Sequence, residues 1–379
     1  MNISFWLLSL LILIVSSHSL AHKPSDSYLK ININNKTAKI QWDIALRDLD
    51  HYLQLDKNGD RLITWGEIKE KHASIEQLAR TNLAINEISS VSCQYGQVTH
   101  KVDKHSDGYY AVLFFDAQCT NTIQELTIQY HLFFEFDNQH RGLISISSQN
   151  NQHTDILSPD KTEIKINTQK TISPYSSMMH FITQGIIHIA EGVDHILFII
   201  SLLISIIYTT RKETTKKSSQ LINTSKEVLK MVTVFTIAHS ITLVLTTLGF
   251  IQIPSRLVES VIAFSILIVA INNLYPKFIG HHLLLVFGFG LIHGMGFASV
   301  LDGLLLNNTH QLLALLGFNI GVEVGQIAIV LLTLILLYPL YRQAHIRIAT
   351  NYTSSAIIAV ISAIWLIERS LDTTLTTLV

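Results

Sequence analysis

Charge is scarce in this chain. Only 15% of its 379 residues are Asp, Glu, Lys or Arg, and the mean hydropathy is +0.35. That balance is too apolar for a soluble globular protein and points to a membrane protein. The formal net charge is -1 and no basic face is concentrated anywhere, which argues against nucleic acid as a partner. Cysteine is nearly absent: Cys93 and Cys119 both lie in the first half. The apolar segments hold no Cys and few Met, which argues against a Cu(I) site there. A phosphate-binding Gly-rich loop of the Walker type is also missing, so this chain does not hydrolyse ATP.

What is abundant is histidine, 18 in all. His188, His195, His239 and His293 fall inside apolar runs. The N-terminus, MNISFWLLSLLILIVSSHSLA, has an apolar core and a small-residue end, as a secretory signal peptide over 1–21 would. Its start carries no Lys or Arg, and an uncleaved anchor helix is the alternative. From 22 to 172 the sequence is polar and mixed. The runs YLKININ, AKIQWDI, YYAVLFF and LTIQYHLFFEF alternate like strands, and a helical stretch is expected over about 46–86. The reading is a β-rich, sandwich-like extracytoplasmic domain with an inserted helical hairpin. Cys93 and Cys119 flank a hairpin around HSDG. Export makes a disulfide the expectation, with two buried free thiols as the alternative.

Within that helical stretch, DKNGDRLITWGE over 56–67 matches an EF-hand loop. Oxygen ligands to calcium would be Asp56, Asn58, Asp60, the Leu62 carbonyl, Thr64 and Glu67. Arg61 stands where the loop normally has Gly. A polar helix-turn-helix without metal is the bland reading.

From 173 to 379 the chain reads as a polytopic α-helical membrane domain. Six apolar segments, at about 178–208, 228–249, 256–275, 283–301, 311–341 and 354–371, are each long enough, or nearly so, to cross the ~30 Å of hydrocarbon as a helix. The links on one side carry Arg211, Lys212, Lys216, Lys217, Lys226, Lys230, Lys277, Arg342 and Arg347. The other side carries Arg256 and Arg369. The positive-inside rule then places residues 22–172 outside, in the periplasm of a bacterial inner membrane. This agrees with the signal peptide by an independent argument.

A charged group at bilayer depth costs at least ~2.5 kcal/mol, so the polar residues in these segments need a reason. On a straight helix with His188 at zero, Gln184 lies near about -40°, Glu191 near about -60° and His195 near about -20°. Asp194 lies aside at about -120°. Elsewhere His239, His293 and Glu323 sit near mid-depth. Asn319 and Gln326 share the face of Glu323, and Glu259 starts the third segment. Neutral imidazole with carboxylate suits Ni²⁺, Co²⁺ or Zn²⁺. His188 and His195 are about 10.5 Å apart along a straight axis. They share one ion only with strain or with the helix broken near Gly192; two neighbouring sites are the alternative. The bland readings are a hydrogen-bonded structural His at 239 or 293, a proton-relay Glu323 and a surface-level Glu259.

With these residues assembled, the chain resembles the HupE/UreJ family, in the branch with a large exported N-terminal domain. The family signature H-x5-D-H is met by His188, Asp194 and His195. The stretches VFTIAHSITL, VESVIAFSI, FGLIHGMGFA, FNIGVEVGQ and the start AHKPSDSYL also fit. Ile189 follows the motif histidine, where members often carry Pro. The resemblance implies a nickel permease accessory to hydrogenase or urease, working beside metalloenzyme maturation proteins. Two other readings stand beside transport. One is an intramembrane zinc hydrolase using three His/Asp ligands and an open position. The other is a membrane-anchored binding or assembly module.

Overall fold

The computed structural model describes residues 25–60, 62–87, 91–105, 108–148, 151–169, 174–213, 217–251, 253–275, 282–296, 308–340 and 344–371. The expected signal peptide, Arg61, Lys277 and Arg342 lie outside them. The described residues form two compact units, 25–174 and 175–371 without the Asn308–Gln311 stretch.

The first unit is β-rich. Strands β1 (Asp26–Asn34) and β2 (Thr37–Ala45) form an antiparallel hairpin, and β1 also runs parallel to β8 (Arg141–Ser148). The turn between β1 and β2 needs a left-handed residue, and Asn35 supplies it at φ 52°. The larger sheet has the order β4 (Gln94–Tyr95), β6 (Gly108–Gln118), β2, β1, β8, β9 (Asn151–Leu157), with β5 (Thr99–His105) also on β6. A smaller sheet has the order β10 (Glu163–Asn167), β7 (Glu125–Tyr130), β3 (Leu83–Glu87). The two sheets share one core. Trp42 of the larger and Tyr130 of the smaller are both fully buried, with ring centroids 5.6 Å apart. Gly142 makes room for this pair, since a Cβ there would stand 2.8 Å from the Tyr130 ring.

Three helices fill the β2–β3 connection: α1 (Leu46–Leu53), α2 (Trp65–Glu70) and α3 (His72–Asn82). The helical stretch expected to run to 86 ends at Asn82. LAINE alternates buried and half-buried positions as β3 instead, so the period of two prevails. Cys93 and Cys119 are joined in a disulfide, which closes the β3–β6 region over a sequence separation of 26 residues.

The second unit is helical. Its elements are α4 (Pro174–Glu191), α5 (Val193–Glu213), α6 (Lys217–Thr247), α7 (Ser255–Leu274), α8 (His282–Gly296), α9 (Asn308–Leu340) and α10 (Ala344–Leu371). Among the described residues, four helices are long and apolar enough to cross a membrane: those in α6, α7, α9 and α10. The pair Met178–Glu191 and Val193–Ile206 makes a fifth span if counted as one, with a bend of 70° between its halves. The expected segment 283–301 is described only as the short apolar helix Leu283–Gly296. The chain is a multi-pass membrane protein. Apolar side chains such as Ile335 and Leu284 lie on its outward surface at 70% and 71% exposure, the finish that lipid rather than water requires.

Candidate metal centre

The expected straight helix over 178–208 is interrupted at Gly192. The interruption decides which polar residues meet. Gly192 N still donates to His188 O at 3.0 Å, and Ile196 N donates to Gly192 O at 3.1 Å. The backbone turns by 70° between these two bonds. Glycine is needed there for space. A Cβ would stand 2.6 Å from His195 Nδ1 and 2.8 Å from His188 O. The bend brings the rings of His188 and His195 to 4.8 Å, where a straight helix would hold them far apart.

Glycines deliver the other two histidines. Gly290 and Gly294 of α8 press onto the α6 backbone, Gly290 against Phe235 O and Gly294 against His239 O. Gly317, Gly321 and Gly325 of α9 lie against Met178, Ile182 and Ile189 of α4. Two small-residue ridges of this kind let helix backbones touch inside a bilayer. His188 of α4, His195 of α5 and His239 of α6 then each offer a ring nitrogen, all within 4.8 Å of one another. The ring of His293 on α8 lies 5.2 Å from that of His195. His195, His239 and His293 are all buried.

The outer contacts of these rings fix their protons. Asp194 Oδ1 lies 3.0 Å from His195 Nδ1 and accepts from His195 N at 2.9 Å. His293 Nδ1 donates to Phe289 O at 2.9 Å. Both contacts put the proton on Nδ1 and leave Nε2 with its lone pair, and neither Nε2 has a hydrogen-bond partner among the described residues. A carboxylate or carbonyl behind an imidazole is the usual support of a metal ligand. Asp194 Oδ2 in turn lies 3.9 Å from Arg369 Nη1 of α10. Arg369 also donates to Glu259 O of α7.

The remaining expected residues fall into two groups. Asn319, Glu323 and Gln326 face α6. Asn319 lies beside His239, Thr233 Oγ1 donates to Glu323 Oε1 at 3.5 Å, and Thr236 Oγ1 donates to Gln326 Oε1 at 3.0 Å. They flank the histidine group without joining its inner set. Glu191 and Gln184 do not join it either. Glu191 is exposed and Gln184 half-buried, although both share the unbroken helix α4 with His188. Glu259 accepts from Ser255 Oγ at 2.6 Å, within its own helix. Sequence reasoning counted Arg369 only as a topology charge and passed over Gly317, Gly321 and Gly325, whose spacing of four was the available signal.

An apolar cavity adjoins the cluster. It lies between His195 and Ile206 on α5, Val228 and Phe235 on α6, and Gln326 and Val330 on α9.

Matched against protein-family models, residues 162–369 fit the one described as HupE / UreJ protein, more than half of the chain. The chain belongs to the HupE/UreJ family. Comparison with curated proteins found no match. HupE/UreJ is a family of membrane metal transport and accessory proteins, not of enzymes. The matched range contains every histidine of the cluster, and the N-terminal unit lies almost wholly before it.

In the N-terminal unit the calcium-like loop is held by its own side chains. Asp56, Asn58 and Asp60 accept from the backbone N of Gly59, Asp60 and Leu62, each at 2.8 Å. Thr64 and Glu67 close a capping box at the start of α2. Glu67 Oε1 also takes Lys57 N at 3.2 Å. A second group, Glu87 with Cys93 and Cys119, has metal-like proximity, but its sulfurs are bonded to each other. Glu87 receives Thr120 N and the Asn121 side chain.

Proposed function

We propose that the chain carries a divalent transition metal, nickel first and cobalt or zinc after it, through the membrane by way of His188, His195, His239 and His293. One observation carries this reading: three imidazoles from three helices place ligand nitrogens within 4.8 Å of one another. Neutral imidazoles are borderline ligands, suited to nickel, cobalt and zinc. Asp194 orients His195 and supplies negative charge. Glu323, Asn319 and Gln326 flank the passage beside His239, and the apolar cavity below His195 is the route onward. Residues 22–172 stand in the periplasm after removal of 1–21, six spans cross the inner membrane, and metalloenzyme maturation proteins receive the metal.

Nickel accumulation by cells carrying the full chain tests this. His195→Ala is expected to abolish uptake above background. Asp194→Asn is expected to weaken metal binding by about 10–100-fold, the usual effect of removing a ligand's support. Uptake at the parental rate in both variants sinks the reading. Stoichiometric zinc that survives chelator in the purified protein would favour the hydrolase instead.

The loop 56–67 belongs to the same proposal as a structural calcium site, supported by two carboxylates, Asp56 and Asp60, and the Asn58 amide, all turned inward on the loop backbone. Calorimetry of the full chain that finds no calcium heat removes it.

A further inference from the structure

At the edge of the histidine cluster stands a fixed cation. Arg369 lies in the last turn of α10, and its Nη1 lies 3.9 Å from Asp194 Oδ2 at the start of α5. The other carboxylate oxygen, Asp194 Oδ1, lies 3.0 Å from His195 Nδ1. One carboxylate is thus divided between an arginine and the support of a cluster histidine. The pair is nearer the surface than the ring behind it: the Arg369 and Asp194 side chains are 17% and 20% exposed, against 6% for His195. Arg369 has two further partners. Its Nη1 donates to Glu259 O of α7 at 3.3 Å. Its guanidinium lies 5.3 Å from the centre of the Trp365 ring, one turn back on α10. Arg256, another cation at this end of the helices, is committed to Ser370 O at 3.1 Å. Among the described residues no other Lys or Arg pairs with Asp194.

A carboxylate within a membrane protein is costly unless a positive charge answers it, and Arg369 is that charge. A divalent metal on the neighbouring imidazoles would answer it too. Two cations around one carboxylate repel each other through a protein interior that screens poorly. Arg369 and the metal therefore compete for Asp194. The geometry lets Arg369 lose. Its 3.9 Å contact with Asp194 is longer than the about 2.7–2.9 Å of a charge-assisted hydrogen bond, so no closed hydrogen bond breaks when it leaves. The Glu259 carbonyl and the face of Trp365 remain as partners after it withdraws.

We propose that Arg369 is the outer gate of the histidine cluster, a tethered cation that neutralises Asp194 until a divalent metal arrives and then gives way to it. The gate sets a threshold. An ion with no more charge than a guanidinium gains nothing at Asp194 by displacing it, whereas a divalent ion already held by imidazoles does. Once the metal moves on, Arg369 returns to Asp194 and opposes re-entry of a cation from the same side. The gate rests on the transport reading above, which places this end of α10 outside. The competition for Asp194 is a binding property and needs only that the cluster holds the metal.

Nickel titration of the purified full chain, with nickel uptake by cells carrying it, tests the proposal. Arg369→Gln should bind nickel about tenfold more tightly than the parent, because the competing charge is gone. It should also release nickel more slowly and so lower uptake. Arg369→Lys keeps the charge and should shift affinity much less. In an Asp194→Asn background there is no pair to break, so Arg369→Gln should gain less there than in the parent. Thermal unfolding checks that each variant is folded, and Arg369→Met, which keeps an apolar stem against Trp365, replaces the glutamine variant if that one is not. Weaker or unchanged binding in the folded variant overturns the gate and makes Arg369 a fixed support of Asp194. Equal gains in the two backgrounds overturn the pairing with Asp194. A parent that binds nickel but accumulates none overturns the transport reading, while tighter binding in Arg369→Gln still upholds the competition. A parent that binds no nickel overturns both.

Discussion

Single residues in this protein act through what they leave unbonded as much as through what they touch. His195 and His293 each spend one nitrogen on a support, and the other has no hydrogen-bond partner among the described residues. His140 in the N-terminal unit is the opposite case. Trp42 Nε1 donates to Ser27 Oγ, which lies 2.6 Å from Tyr130 Oη. Tyr130 Oη lies 2.5 Å from His140 Nε2, His140 Nδ1 lies 2.6 Å from Ser25 Oγ, and Ser25 Oγ donates to Asp137. A neutral His140 with its proton on Nδ1 satisfies every member of the chain. The set contains Ser, His and Asp, yet it is no nucleophile site. The carboxylate touches the serine instead of the histidine, and His140 is fully buried. Burial holds the His140 pKa down at about 3, from an ordinary 6.5. The unfolded chain therefore binds a proton between these values that the folded chain refuses. The contribution is fully present above pH 6.5 and is lost as pH falls toward 3, by about 1.4 kcal/mol per pH unit. Protection factors of the β1 and β8 amides, with the intrinsic pH dependence of exchange divided out, should fall over that window in the parent. In His140→Gln the same amides should show a flatter pH dependence, on a lower baseline. Equal slopes in the two proteins would remove the assignment.

Elements meet in the membrane unit where side chains are missing. Gly185 and Gly321 face each other across α4 and α9, and a Cβ on Gly321 would run into Ile182 O. Gly192 does related work within one span by admitting the His195 ring against the bend. We expect Gly192→Ala to push His195 off His188 and lower nickel affinity by about 10–100-fold. We expect Gly321→Leu to separate α4 from α9 at a cost of at least about 1–3 kcal/mol. Thermal unfolding and nickel titration of the full chain separate the two effects. Gly192→Ala should lose affinity with a small change in stability, and Gly321→Leu should lose both. Much of this was legible in advance. Apolar length marked the spans, alternation marked the strands, and the spacing of His188, Asp194 and His195 marked the cluster. The bend was legible only as a choice, because angular counting presumes a continuous helix and Gly192 permits either outcome. The bend moves His195 off the stripe counted from His188, while Gln184 and Glu191 keep their places on α4.

At the scale of the whole molecule, the two units divide the chemistry between them. The N-terminal unit has its own core, its disulfide and its buried hydrogen-bond chain, and its sheet order is closed without help from the helices. The membrane unit has a separate core built from α5 to α10. Every ligand proposed for nickel lies in the latter, and the family match begins only at residue 162. A unit with its own core can be removed without opening another's. We therefore expect a chain lacking residues 22–172, with 1–21 kept, to insert and to bind nickel with the parental affinity. Accumulation should also persist, at a reduced rate if the N-terminal unit concentrates metal before entry. Titration of the purified truncated protein and uptake by cells carrying it are the measurements. Parental affinity with no uptake would make the N-terminal unit part of the transport cycle. Loss of nickel binding itself would mean that the histidine cluster depends on residues outside 175–371, contrary to the geometry that assembles it.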